Sequence, residues 1–294
     1  MTQENALVLE GGGFRGIFTA GVLDVLQENK IYGFTSIWGV SAGAINAVSF
    51  KSRQIGRSMR IILAFRDDKR FMSLWSWAKT GDMAVADFMY DEVQNRLDPC
   101  DNETFNSNPL RMYAVATDSI FGTAAYLPCV SFPEDVPHVQ ASASLPMVSN
   151  RVKVNGHLYL DGGTADSIPF AVALGLDGSA QVPGHTPADK AVVVLTRERE
   201  FVKTDATERI YLRSHRYDGY DYYTEALASR AERYNASRKQ LFELEEQGRV
   251  LILEPPEPVV VSNTGSDGAS LLTLYLQGRR AAEAKLDQLR EIAG

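Results

Sequence analysis

Residues 38–43 read WGVSAG, one serine set among small residues: Gly39-Val40-Ser41-Ala42-Gly43. The stretch before it, FTSI (34–37), has the character of a short strand, and the stretch after it, AINAVSF (44–50), that of a helix. A serine at such a junction has two common uses. It caps the helix, or it rides a sharp strand-to-helix turn that lifts its hydroxyl above the edge of a sheet. The second use needs glycines two places to either side, because the tight turn crowds neighbouring chains. Gly39 and Gly43 stand there. The helix that follows would aim free N–H groups and its positive end at the hydroxyl, which favours developing negative charge.

Working outward, the same plan occurs once before. ALVLE (6–10) reads as a strand, GGGFRG (11–16) as a glycine turn, and 14–28 as a helix with apolar Phe14, Ile17, Phe18, Val22, Val25 and Leu26 at helical spacing. The second unit is strand 34–39, the turn at Ser41 and helix 42–51. Strand, helix, strand, helix at this spacing predicts an α/β fold, a mostly parallel central sheet covered by helices on both faces. Further strands are expected at 110–117, 123–130, 191–196 and 249–254, with a helical insertion before residue 110 and a Gly/Pro-rich loop at 177–190. An amphipathic helix is expected at 222–247, with Leu227, Ala231, Tyr234 and Leu241 on one face, and a closing helix at 268–292. No linker divides the chain, so residues 1–294 read as one domain. Its core motifs lie in 6–175, and an extension from about 190 to 294 packs on the sheet or continues it.

Composition narrows the function. The 294 residues are 45% apolar and 23% charged, as in soluble globular proteins. A net charge of −7 argues against a dedicated nucleic-acid binder. No apolar run reaches the ~18 residues of a membrane-spanning helix, and the N-terminal MTQENALVLEGGG lacks a secretory pattern, so the cytosol is the expected compartment. Cys100 and Cys129 are expected to be buried thiols, and without CxxC, HExxH or paired-His spacing no metal site is expected.

The glycine turn literally satisfies GxGxxG through Gly11, Gly13 and Gly16. A dinucleotide site would also place an acid at the end of the second strand, where this chain has Ile37-Trp38-Gly39. The GKS or GKT of a nucleotide P-loop is missing too. The other use of free main-chain N–H groups is to hold an oxyanion, and two adjacent parallel strands would set Gly11–Gly13 beside Ser41. A serine nucleophile also needs a base. His138, His157, His185 and His215 have surface or structural surroundings. Asp161 follows the apolar run Leu158-Tyr159-Leu160 and precedes Gly162-Gly163, at a strand end; Asp-Gly is equally a common turn pair.

Together, Glu10-Gly11-Gly12-Gly13-Phe14-Arg15-Gly16, Gly39-Val40-Ser41-Ala42-Gly43 and Asp161-Gly162-Gly163 resemble the motifs of the patatin-like phospholipase family, in the same order. ATDSIFG (116–122) and ASASLPMV (141–148) resemble two supporting segments of that family. The resemblance covers about residues 6 to 175, and the last hundred residues carry no family motif. It implies a patatin-like three-layer fold and a Ser–Asp dyad, with Ser41 the nucleophile and Asp161 the general base. It further implies an oxyanion hole from Gly11, Gly12 and Gly13, supported by Phe14, Arg15, Gly16, Gly39, Gly43, Gly162 and Gly163. Arg15 would position the loop or neutralise an acidic head group. The family's first loop position is commonly Asp and here is Glu10, a departure that leaves the glycines intact. Partial burial is expected to raise the pKa of Asp161. The implied activity is hydrolysis of lipid acyl esters through an acyl-enzyme, of the phospholipase A or lysophospholipase type, without metal or cofactor. A general carboxylesterase or thioesterase, a nucleotide-binding enzyme using GGGFRG, and a scaffold with a retired site are the alternatives; the intact motifs speak against the last.

The insertion at 51–79 bears on partners. It holds Lys51, Arg53, Arg57, Arg60, Arg66, Lys69, Arg70 and Lys79 with Phe65, Phe71, Met72, Trp75 and Trp77. Basic and aromatic residues together suit transient contact with an anionic lipid surface, and most of these aromatics are expected to pack on the core instead. The expected partner is a lipid or acyl-ester substrate, not nucleic acid, and the oligomeric state is not readable from the sequence.

Overall fold

The computed structural model describes residues 3–71, 73–261 and 267–294. Met72 of the insertion, and Met1 and Thr2 of the N-terminal stretch, lie outside them. Strand β1 (Asn5–Leu9) leads through a 3-10 turn at Gly13–Arg15 into α1 (Gly16–Glu28), and β2 (Ser36–Val40) leads through Ser41 into α2 (Ala42–Lys51). The insertion forms α3 (Arg57–Phe65), α4 (Leu74–Thr80), a π-helical segment (Phe88–Leu97) and α5 (Asn102–Ser107). Then come β3 (Arg111–Asp118), β4 (Ala124–Cys129), α6 (Val136–Ser142), β5 (Val152–Val154), β6 (His157–Asp161) and α7 (Phe170–Ala173). The remainder forms β7 (Lys190–Val194), α8 (Ala206–Arg213), α9 (Asp221–Ala228), α10 (Arg230–Glu246), β8 (Val250–Leu253), α11 (Gly268–Glu283) and α12 (Leu286–Ala293).

The sheet order is β5-β6-β3-β2-β1-β7-β8, with β4 also paired to β3. From β3 to β8 the neighbours are parallel, and the pairings made by β4, β5 and β6 at the other side are antiparallel. Both faces are buried, as a parallel sheet requires. Leu7, Leu9, Ile37, Val192 and Val194 join Phe18 of α1 and Leu271 and Leu274 of α11. The alternate residues Ala6, Val8, Trp38 and Val193 join Phe170 of α7 and Leu241 of α10. This is the expected three-layer α/β arrangement, and β7 and β8 extend the sheet.

Two long helices expected from the sequence are each divided. The 222–247 segment breaks at Ser229, which closes α9 and opens α10; its hydroxyl donates back to the Glu225 carbonyl at 2.7 Å, a bond that competes with regular helix. The buried face of Leu227, Ala231, Tyr234 and Leu241 is as expected. The 268–292 segment breaks before Lys285, whose backbone leaves helical geometry and whose Nζ donates to the Ile252 carbonyl at 2.8 Å. Strand β5, not anticipated, forms a hairpin with β6 across Asn155-Gly156, both at positive φ as a primed turn demands.

In the insertion, Phe71 is buried while Trp75 and Trp77 are exposed. Arg57 is fully buried beside Asp98, and Lys51 donates to the Cys129 carbonyl, so part of the basic character serves the fold. Cys100 and Cys129 are buried free thiols. Among the described residues, no helix is long and apolar enough to cross a membrane.

Candidate active site

Strand register alone brings the motifs together. Leu9 pairs with Gly39 and Val40 with Val115, while Ala116 pairs with Asp161 across the antiparallel junction. Continuing each register by one or two residues puts Gly11, Ser41, Ala116 and Asp161 on one line along the carboxyl ends of the strands. Leu9 also pairs with Val194, which brings Thr196 to the same line on the other side of Gly11. Thr196 Oγ1 donates to the Gly11 carbonyl at 2.9 Å.

Ser41 occupies φ 55°, ψ −122°, a left-handed conformation that a serine adopts at a cost of ~1–3 kcal/mol. Gly43 lies against the Leu9 carbonyl and Gly39 against the backbone of Ala44, so a Cβ at either would meet main chain that has nowhere to go. The Ser41 N–H donates to Ser142 Oγ at 2.9 Å, and that hydroxyl donates to the Val115 carbonyl at 2.6 Å. Ser142 thereby pins the strained turn from α6. The family resemblance singled out ASASLPMV (141–148) as a supporting segment but did not reveal this bond.

Asp161 ends β6 and is buried. Its Oδ1 accepts the Gly163 N–H at 2.8 Å, while Oδ2 is buried without a hydrogen-bond partner among the described residues. Burial pushes the carboxyl above the usual carboxylate range; the Ser41 hydroxyl, the Gly163 N–H and the Arg230 charge hold it down in part. The Ser41 hydroxyl thus bears on the carboxyl, and both side chains line one polar chamber.

The glycine turn completes the line. Gly11 backs onto the Cβ of Ser41. Among the described residues, the N–H groups of Gly11, Gly12 and Gly13 have no acceptor. Glu10 is buried, and it holds the turn: Oε2 accepts the Thr196 N–H at 2.6 Å, and Oε1 accepts the Tyr234 hydroxyl at 2.6 Å. Burial pushes Arg15 down to about 10, with Arg197 adding to the fall and Glu10 opposing it.

The first turns of α10 clamp the Asp-Gly-Gly turn. Arg230 Nε donates to the Gly163 carbonyl, and Arg233 Nη2 to the Thr164 carbonyl at 2.6 Å. These arginines were missed at the sequence level. Their i, i+3 spacing on a helix was visible, but their partners lie nearly seventy residues earlier in the chain.

Ser41 stands between two chambers. One, of about 110 Å³, is apolar and lined by Phe14, Ile45, Ile61, Phe71 and Met89, with Gly13 and Gly16 at its wall. The other, of about 410 Å³, is polar and holds Gly11, Gly12, Arg15, Asp161 and Gly163. Of the expected residues, Gly39, Gly43 and Gly162 instead stand behind the site, packed on main chain. None of the four histidines lines either chamber. The arrangement can deliver a hydroxyl, a proton acceptor and main-chain donors to one acyl carbon.

The sequence model of the patatin-like phospholipases matches residues 7–174. The chain belongs to the patatin-like phospholipase family. A second match, to a domain of unknown function (DUF6363), covers residues 220–294. Arg230, Arg233 and Tyr234 therefore reach the patatin-like site from outside the patatin segment. The Escherichia coli protein YjjU, itself uncharacterized, is 31% identical over 173 residues, 57% of this chain and 48% of that protein. An uncharacterized NTE family protein of Mycobacterium tuberculosis is 26% identical over 177 residues, 60% of this chain and 47% of that protein. The chain thus spans about half the length of the curated relatives it matches. Among solved structures, VipD from Legionella pneumophila has a TM-score of 0.46 at 15% identity, covering 98% of this chain and 67% of that one. The type III effector protein ExoU has a TM-score of 0.44 at 12% identity, covering 99% of this chain and 54% of that one.

Proposed function

We propose that the protein is a serine acyl-ester hydrolase of lipids, of the phospholipase A or lysophospholipase type, working through a Ser41–Asp161 dyad. The observation that carries this reading is the single line along the sheet edge that holds glycine N–H groups without an acceptor among the described residues, a strained serine and a buried carboxyl, with an apolar chamber opening at the serine.

The acyl chain enters the apolar chamber and the ester carbonyl comes to rest over Ser41. Asp161 accepts the hydroxyl proton as Oγ bonds to the carbonyl carbon, and the N–H groups of Gly11–Gly13 hold the oxyanion. Each such donor is worth ~3 kcal/mol of transition-state stabilisation. The ester C–O bond then breaks, and the proton on Asp161 passes to the leaving alcohol. Water attacks the acyl-enzyme and gives a proton to Asp161; the acyl C–Oγ bond breaks, the fatty acid leaves, and Asp161 returns the proton to Ser41 Oγ. A carboxyl raised by burial is a stronger base than an exposed one, which suits the absence of histidine at the site.

Assays of the purified chain on a long-chain lysophospholipid, a diacyl phospholipid and a short p-nitrophenyl ester test the reading. Hydrolysis is expected, with kcat lowered by about a thousandfold or more in Ser41→Ala. Failure to cleave any acyl ester overturns it. Exposed Trp75 and Trp77, with Lys79 set 4.3 Å over the Trp75 ring, form the membrane-facing patch in this account. Sedimentation with acidic vesicles at low salt is expected to retain the protein and to lose the Trp75→Ala/Trp77→Ala variant; no binding at low salt removes this part of the account.

A further inference from the structure

The apolar chamber at Ser41 is small. Its volume of about 110 Å³ falls short of the ~150 Å³ apolar cavity that accepts one benzene ring, so about six carbons fill it. Ile45 of α2 and Met89 and Tyr90 of the π-helical segment belong to its wall. The same three residues line a second cavity of about 20 Å³, whose other walls include Val48, Phe132 and Val136. They therefore stand as a partition between the two spaces. Among the described residues, Gln94 is the other polar side chain on the smaller cavity, and its oxygen already accepts Arg57 Nη2 at 2.8 Å. A cavity walled mostly by hydrocarbon stays dry and takes apolar groups.

Met89 is the movable part of the partition. It is buried, and its unbranched thioether chain adapts to irregular space, whereas Ile45 is β-branched and stiff. It also sits near the start of a π-helical stretch, Phe88–Leu97, an uncommon geometry that gathers at functional sites. We propose that Ile45, Met89 and Tyr90 form a ruler for acyl-chain length, with Met89 its deciding residue, and that the site prefers medium-chain acyl groups of about six to eight carbons to long-chain ones. The inference rests on the acyl-hydrolase reading above and specifies which acyl groups that site accepts. Each methylene that still enters the chamber raises kcat/KM about fourfold through burial. The first that meets the partition must displace Met89, and overpacking a filled apolar site costs about tenfold or more.

The test is the hydrolysis, by the full chain, of monomeric p-nitrophenyl esters whose acyl chains run from about four to about sixteen carbons. The kcat/KM of the unmodified protein is expected to climb to about six to eight carbons and to fall about tenfold or more by the longest. Met89→Ala joins the two spaces, and the maximum is expected to move about three carbons longer, one for each side-chain heavy atom removed. Ile45→Ala opens the same partition from α2 and is expected to move the maximum in the same direction. Val136→Phe fills the smaller cavity from α6 and is expected to return the maximum of the Met89→Ala protein to its original length. Thermal melts establish that each variant compared is folded. A rate that keeps climbing to the longest chain in the unmodified protein overturns the ruler while ester hydrolysis stands. So does a maximum that neither Met89→Ala nor Ile45→Ala moves, or one that Val136→Phe leaves lengthened. No hydrolysis at any length, with no modification of Ser41 by a serine-reactive probe, fails the hydrolase reading and the ruler together.

Discussion

The backbone of Ser41, at φ 55°, sits where glycine is at ease and serine is not. If the strain serves to project the hydroxyl, Ser41→Gly relieves it and Ser41→Ala does not. Chemical denaturation should find the glycine variant about 1 kcal/mol more stable than the alanine variant, with both inactive. Equal stabilities would mean the turn is not strained. Asp161 makes a parallel case. Its folded pKa is raised by burial, so its stability contribution is present below the ordinary carboxylate range and is lost as pH rises through the raised value. Asp161→Asn is therefore expected to match the unmodified protein in acid and to exceed it by about 1 kcal/mol at neutral pH. The kcat/KM of the unmodified protein should rise with pH through the same ionisation, as a base requires. A rate that falls with pH over that range contradicts the assignment. At this scale the sequence was most informative: the serine turn and the glycine turn were legible as local patterns, because tight turns admit few residue types, whereas Asp161 read equally as a turn residue until the family resemblance singled it out. Ser142 did not, since a hydroxyl that braces a backbone N–H from a hundred residues away leaves no local pattern.

Among elements, the glycine turn, the end of β7 and helix α10 are tied through Glu10. Its carboxylate takes one N–H from the first neighbour and one hydroxyl from the second. Tyr234→Phe leaves a buried carboxylate oxygen without its donor, which costs about 1–3 kcal/mol of stability. It should also lower kcat more than it changes KM, because in the proposed mechanism the loosened turn holds the oxyanion and not the ground state. An unchanged kcat would show that α10 does not govern the turn. The commonest family residue at position 10 is the shorter aspartate; here the longer side chain spans both partners, a role the sequence did not reveal. Periodicity located the strands of the parallel sheet within a few residues, since buried strands are short, apolar and bounded by turns. It ran two pairs of helices together, because Ser229 and Lys285 break their helices through hydrogen bonds and backbone geometry that no apolar pattern records.

Across the whole molecule, the first 174 residues carry the serine, the aspartate and the glycine turn, and the last 75 complete their surroundings. Helix α11 packs on α1, with the Tyr275 hydroxyl donating to Asp24 at 2.7 Å, and β8 covers the edge of β7. Removing residues 220–294 is expected to abolish cooperative thermal unfolding and all ester hydrolysis. A truncated chain that unfolds cooperatively and keeps full activity would show the region to be an independent appendage. The order of the motifs made the patatin-like half legible; the other half was not, because its contribution consists of single arginines and a tyrosine reaching back across the fold. The central claim is that Ser41 attacks the acyl carbon with Asp161 as its base. The direct measurement is labelling with a fluorophosphonate probe, with the modified peptide identified by mass spectrometry. The label is expected on Ser41, absent in Ser41→Ala and at least about a hundredfold slower in Asp161→Asn; a label on any other serine, or an undiminished rate in Asp161→Asn, contradicts it.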